Sequence, residues 1–125
     1  MGRSVSDLKQ TRILIVEDEV LLALALQQAL TAAGCAEVLL TSRVDHALEV
    51  ISASPPSLVL LDINLQGKYS FPIADALADA DVPFVFLSAQ SREFVPPRHR
   101  ARPFLEKPSD EEVVLTAIRM ALEDH

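Results

Sequence analysis

The chain has 125 residues, half of them hydrophobic, which suits one domain over 1–125 with a single core, residues 1–10 reading as a flexible tail. Its net charge of −7, from 11 Lys plus Arg against 18 Asp plus Glu, argues against a general nucleic-acid surface, because phosphate binding needs clustered cations. No apolar run approaches the roughly 20 residues that cross a bilayer, and the start MGRSVSDLKQ lacks the apolar centre of a signal peptide, so a soluble, cytoplasmic protein without a membrane partner is expected.

Apolar runs at residues 13–16, 38–40, 58–61 and 84–87, with a weaker one at 104–105, have the length and flanks of strands buried on both faces. Helical patterns separate them. After the first run Leu22, Leu26, Ala29, Leu30 and Ala33 share one face, and Gly34 is placed to end the helix. The lone Cys35 follows, with no disulfide partner and no neighbour at metal-ligand spacing. After the second run Ser42 and Asp45 suggest a capping box for a helix burying Ala47, Leu48 and Ile51, closed by Pro55 and Pro56. After the third, Ser70 and Pro72 open a helix with a stripe of Ile73, Ala76, Leu77 and Ala80. In AQSREFVPPRHRARP a helix starting at Ser91 meets Pro96 and Pro97 within about two turns, so the fourth helix is short or irregular. The last helix takes Ser109 as its cap, Asp110, Glu111 and Glu112 in its first turn, and Val114, Ala117, Ile118 and Ala121 on its inner face. Alternation of this kind implies an α/β fold, a parallel sheet with helices on both faces and right-handed crossovers.

In such a sheet ligands bind outside the carboxyl ends of the strands. There the sequence places Glu17 and Asp18 after the first strand, Asp62 after the third, Ser88 at the end of the fourth, and Glu106 and Lys107 at the fifth. Converging carboxylates repel, by about 4 kcal/mol for two unit charges ~4 Å apart at an effective dielectric of ~20. Lys107 supplies one compensating charge, and a hard divalent cation, Mg²⁺, is the natural source of more. The Ser88 hydroxyl and the Lys107 ammonium are donors in want of an acceptor. A phosphoryl group on Asp62 would satisfy both.

The stretches ILIVEDE, LVLLDINL, FVFLSAQ and FLEKP, at these spacings, resemble the response-regulator receiver domain of two-component signalling, from residue 13 to 122. The resemblance implies a flavodoxin-like, doubly wound five-stranded parallel sheet of order 2-1-3-4-5. It implies Asp62 as nucleophile, taking phosphate from a histidine kinase or phosphotransfer protein. Asp18, Asp62 and the backbone carbonyl of Asn64 would bind Mg²⁺ directly, Glu17 would act through a water of the ion, and Ser88 and Lys107 would bind phosphoryl oxygens. The peptide bond between Lys107 and Pro108 is expected to be cis. Asn64 and Gln90 match positions flanking the path of the hydrolytic water. Phe104 matches an aromatic whose rotation reports phosphorylation, and its plain core role is an equal alternative. VPFVF and PFLEKP are similar to a receiver subgroup with a Phe-Ala-Thr-Gly-x-Tyr stretch, where this chain has FLSAQS.

Arg92, Arg98, Arg100 and Arg102 form an island of positive charge that reads as a solvated, mobile loop or a docking patch for an acidic partner. Lys68 and Tyr69, beyond a turn at Gly67, would lie at the rim of the site. His46, His99 and His125 have no companion at ligand spacing and are assigned no chemistry. The expected function is a phosphorylation-dependent switch acting through protein contacts, as a monomer or a phosphorylation-dependent dimer. It catalyses only its own phosphorylation and dephosphorylation and makes no direct nucleic-acid contact. Alternatives are an unphosphorylated pseudo-receiver module and a receiver fragment of a larger transcriptional regulator. A phosphohydrolase would need a second carboxylate at position 64, which is Asn, and a flavin phosphate would be repelled by the EDE after the first strand.

Overall fold

The computed structural model describes residues 8–125. In chain order its elements are β1 (Arg12–Val16), α1 (Val20–Ala32), β2 (Glu37–Thr41), α2 (Val44–Ala53), β3 (Leu58–Leu61), β4 (Asn64–Leu65), β5 (Lys68–Tyr69), α3 (Phe71–Asp79), β6 (Phe84–Ser88), β7 (Phe104–Glu106) and α4 (Glu111–Asp124). The main sheet runs β2-β1-β3-β6-β7, all parallel, which is the expected order 2-1-3-4-5 of the five longer runs. β4 and β5 make a small antiparallel hairpin that the sequence reading did not foresee.

Alternation along the strands splits the core in two. Leu14, Val16, Val59, Leu61, Phe84 and Phe86 pack with Ala47 and Ile51 of α2 and Ile73 and Leu77 of α3. Ile13, Ile15, Leu58, Leu60, Val85 and Leu87 pack with Leu26 and Leu30 of α1 and Val114 and Ile118 of α4. Each strand therefore needs apolar side chains at successive positions, and the apolar runs end where the sheet leaves this cover.

Helix ends obey the expected logic at some places and not at others. Gly34, at φ +103°, closes α1 in the left-handed conformation a Cβ disfavours, with the Cys35 amide donating to the Leu30 carbonyl at 3.2 Å. The capping box at Ser42 and Asp45 does not form. Arg43 takes the cap position, and Asp45 turns its carboxylate to the Arg43 guanidinium at 3.0 and 2.6 Å. Ser70 does precede α3, but its hydroxyl donates to the Asp62 carbonyl instead of accepting from the helix. Ser109 likewise donates to the Glu106 carbonyl, and Asp110 stands at the head of α4. In both cases the hydroxyl is turned toward a strand-end carbonyl and away from the helix amides.

Two further expectations are corrected. Within the supposed tail, Leu8 is only 2% exposed and its carbonyl accepts the Thr11 amide at 3.0 Å, so the chain is packed from the first described residue; residues 1–7 lie outside the described residues. The arginine-rich stretch between β6 and β7 is two 3₁₀ turns, Arg92–Phe94 and Pro97–His99, and its arginines point back onto the fold. Arg92 donates to the carbonyls of Arg100 and Arg102 at 3.1 and 3.3 Å and lies over the Phe104 ring, 5.3 Å from its centroid. Arg102 covers Phe84 at 4.5 Å, Arg100 donates to the Val95 carbonyl at 2.9 Å, and Arg98 grips Asp75 of α3 through two bonds of 2.7 and 3.0 Å. The charge island is thus a set of staples, because two prolines and short turns leave carbonyls and ring faces that guanidinium groups can satisfy. His99 joins them. It is 3% exposed, and its Nε2 lies 2.7 Å from Asp75 Oδ1.

Candidate functional site

The carboxyl ends of β1, β3, β6 and β7 supply the site because the backbone ladder continues one residue past them. The Glu17 amide donates to Thr41, the Asp62 amide to Val16 and the Lys107 amide to Ser88, at 2.9, 3.0 and 2.9 Å. That continuation sets Glu17, Asp62, Ser88 and Lys107 in one row across neighbouring strands. Glu17, Asp62 and Ser88 are buried and Asp18 is half-buried.

Lys107 is the electrostatic centre. Its ammonium lies 2.8 Å from Glu17 Oε1, 3.0 Å from Asp62 Oδ2 and 3.2 Å from Glu19 Oε1. Carboxylate oxygens of Glu17, Asp18 and Asp62 lie within 4.8 Å of one another. Burial pushes the Glu17 carboxyl up to about 7, against the lowering bonds from Lys107 and the Glu19 amide, and the Asp62 charge pushes the same way as burial. Burial pulls Lys107 down, but bonds to Glu17 and Asp62 more than offset it and hold the ammonium above its ordinary range. Glu17 is thus raised chiefly because burial penalises its charged form, whereas Lys107 is held charged by the acids it faces; three carboxylates, of Glu17, Asp18 and Asp62, share the pocket with this one ammonium.

An all-oxygen donor set with a deficit of positive charge fits Mg²⁺, which takes carboxylate, carbonyl and water oxygens. Asp18 and Asn64 are both engaged by the β4–β5 hairpin. Asp18 Oδ2 accepts the Gln66 amide at 3.0 Å, and Asn64 Oδ1 accepts the Gly67 amide at 2.8 Å. Gln66 and Gly67 sit at φ +53° and +88°, which turns those two amides inward over the site. The Asn64 amide itself makes a long 3.4 Å bond to Asp62 Oδ1, so Oδ1 is the less occupied of the two Asp62 oxygens. Ser70 anchors the Asp62 carbonyl from below.

Ser88 Oγ accepts the Gln90 amide at 3.1 Å, and Gln90 Oε1 is buried without a hydrogen-bond partner. The Lys107–Pro108 bond is cis. Phe104 is half-buried, its ring 6.2 Å from that of Phe86 and capped by Arg92. Of the predicted residues, then, Glu17, Asp18, Asp62, Asn64, Ser88, Gln90 and Lys107 share this end of the sheet, while Phe104 lies two residues before Glu106, inside β7. Lys68 and Tyr69 form β5, exposed at the rim, with Tyr69 stacked on Phe71 at 5.5 Å. Sequence reasoning missed Glu19 and Ser70. Glu19 was legible as the third acid of EDE, but the repulsion argument treated it only as bulk charge.

A family model described as the response regulator receiver domain matches residues 13–119. The transcriptional regulatory protein BaeR of Escherichia coli O6:H1 is 37% identical over 83 residues, 66% of this chain, which spans only 34% of that relative's length. Among solved structures, SdrG from Sphingomonas melonis Fr1 is 39% identical with a TM-score of 0.79, over 92% of this chain and 98% of that one. The response regulator PhyR from Brucella abortus is 28% identical with a TM-score of 0.80, over 96% of this chain and 51% of that one. Among the described residues no helix is long and apolar enough to cross a membrane.

Proposed function

Because the chain belongs to the response regulator receiver domain family, a family of signalling modules, we propose that it is a phosphoacceptor switch that takes a phosphoryl group on Asp62 from a histidine kinase or histidine phosphotransfer protein. The observation that carries this is the convergence on Asp62 of two further acids, Glu17 and Asp18, and one buried ammonium, Lys107. A carboxylate oxygen of Asp62 attacks the phosphorus of a phosphohistidine. A P–O bond forms, the P–N bond breaks, and the imidazole leaves and takes up a proton. Lys107, already hydrogen-bonded to Asp62, and the Ser88 hydroxyl would donate to phosphoryl oxygens. Asp18, Asp62 and the Asn64 carbonyl would hold Mg²⁺, with Glu17 acting through a water of the ion, and the bound ion would supply positive charge to phosphoryl oxygens.

Return to the ground state is attack of water on phosphorus, which releases phosphate and restores the Asp62 carboxylate. Asn64 and Gln90 would flank that approach. Output passes through protein contacts in the cytoplasm, the chain acting as a monomer or as a phosphorylation-dependent dimer. A second reading, the receiver part of a longer transcriptional regulator, is favoured by the length of the BaeR relative.

The test is intact mass after incubation with acetyl phosphate, with and without Mg²⁺, for the native chain and Asp62→Asn. The expected result is a Mg²⁺-dependent gain of one phosphoryl group that the variant lacks. A native chain that never gains phosphate, from the small donor or from a histidine phosphotransfer protein, would make this a pseudo-receiver.

A further inference from the structure

Lys107 already faces three carboxylates before any phosphate arrives, donating to Asp62 and Glu19 and paired with Glu17. An ammonium has three N–H donors, and three carboxylates, of Glu17, Asp62 and Glu19, lie at 2.8, 3.0 and 3.2 Å. These partners differ in how easily they can leave. The Glu17 and Asp62 side chains are 2% and 7% exposed, whereas that of Glu19 is 62% exposed. Releasing Glu17 would strand a buried carboxylate without its cation, which is costly, and Asp62 is the reacting group. Glu19 can turn into water with no such penalty.

Its backbone suits the role. Glu19 sits at the head of α1 with its amide donating to Glu17 Oε2 at 3.0 Å and its side chain making no cap bond. The residue is therefore fixed while its carboxylate stays free to reach across to Lys107. It forms one wall of a groove of about 320 Å³ bounded by Leu22, Leu26, Leu87, Lys107 and Pro108, so outward rotation displaces no buried atom.

We propose that Glu19 is a positioning residue that occupies the third donor of Lys107 in the resting state and must yield it to a phosphoryl oxygen, so that it sets the affinity of the site for phosphate. This rests on the phosphoacceptor reading and extends it to a residue outside the Asp62, Ser88 and Lys107 set. Removing the contact frees a donor in advance. An exposed ion pair is worth about a two- to fivefold change in an equilibrium constant.

The measurement is the dissociation constant of beryllium trifluoride, a phosphoryl mimic, in the presence of Mg²⁺, for the native chain, Glu19→Gln and Glu19→Asp, with thermal midpoints as a check on folding. Gln removes the charge and leaves only a weak neutral acceptor; Asp keeps the charge but falls short of Lys107. Binding about two- to fivefold tighter in both variants, at unchanged midpoints, is the expected result. Tightening in Gln alone would mean that Glu19 acts by repelling anions at a distance, and overturns the proposal. Equal affinity in all three proteins overturns it too and leaves the phosphoacceptor reading intact. No binding by any of them, with no phosphate taken up by the native chain, defeats both.

Discussion

Replacing Asp75 by alanine cuts the tie between α3 and the proline-broken segment, and the structure separates its cost into two parts. The first is the bidentate pair with Arg98, whose side chains are 45% and 56% exposed, worth about 0.2–1 kcal/mol. The second is larger. A carboxylate can only accept, so His99 Nε2 must carry the proton of the 2.7 Å bond, and the ring around it is 3% exposed with Nδ1 already lacking a partner. Leaving that buried N–H unpaired costs a further ~1–3 kcal/mol. Asp75→Ala should therefore lose about 2–3 kcal/mol in denaturant unfolding, on the order of 10 °C in midpoint, while Arg98→Ala loses under about 1 kcal/mol. Hydrogen exchange should quicken at the amides of Val95 and Arg100, which close the two turns. Equal losses for the two variants would refute the assignment of the larger share to His99.

The same carboxyl gives a pH signature. Bonds from Arg98 first and His99 second hold Asp75 down at about 2, below its ordinary 3.8, so its contribution is complete above about pH 4 and drains away as pH falls toward 2. Acid unfolding of the native chain and Asp75→Asn should therefore converge across that window. Arg92→Ala removes a cation–π contact and two bonds to carbonyls; a loss of about 1–2 kcal/mol and a shift in the ring resonances of Phe104 are expected by denaturation and NMR. Mg²⁺ should raise the thermal midpoint of the native chain in proportion to its binding, and Asp18→Asn should abolish most of that rise, because ligand bound only to the folded state stabilises it. Leu8→Ala should cost about 2 kcal/mol or more, where a residue in a flexible tail would cost nothing.

The parallel sheet and its acidic edge were legible because both depend on residue type at fixed spacing. A strand covered on both faces must be apolar throughout, so Asp62 after Leu58–Leu61 marks the end of β3, as Glu17 does for β1 and Lys107, just past Glu106, for β7. What stayed hidden was partner choice. Ser70 and Ser109 carry the chemistry of a cap, and a sequence does not say that their hydroxyls face strand-end carbonyls instead of helix amides. The arginines of 92–102 show the same limit: four cations in a row look solvated until prolines turn the chain so that Phe84, Phe104, Asp75 and backbone carbonyls face them.

That stapled segment bears on how such a switch would transmit. In the receiver family the sequence resembles, the stretch after the fourth long strand is ordinarily a helix. Here two 3₁₀ turns are fastened at both ends, to α3 through Asp75 and to β7 through Arg92 over Phe104. The Ser88 hydroxyl is tied to the same stretch by the Gln90 amide at 3.1 Å. A pull on Ser88 therefore enters a segment with two fixed anchors, and the contact with least to hold it is Arg92 on Phe104, an exposed guanidinium over a half-buried ring. If phosphorylation reaches the surface by this route, Phe104 should change environment on binding beryllium trifluoride in the native chain, and the same ring should already be displaced in Arg92→Ala. A ring resonance that ignores the mimic in both proteins would place the output elsewhere, on the β4–β5 hairpin that holds Asp18 and Asn64.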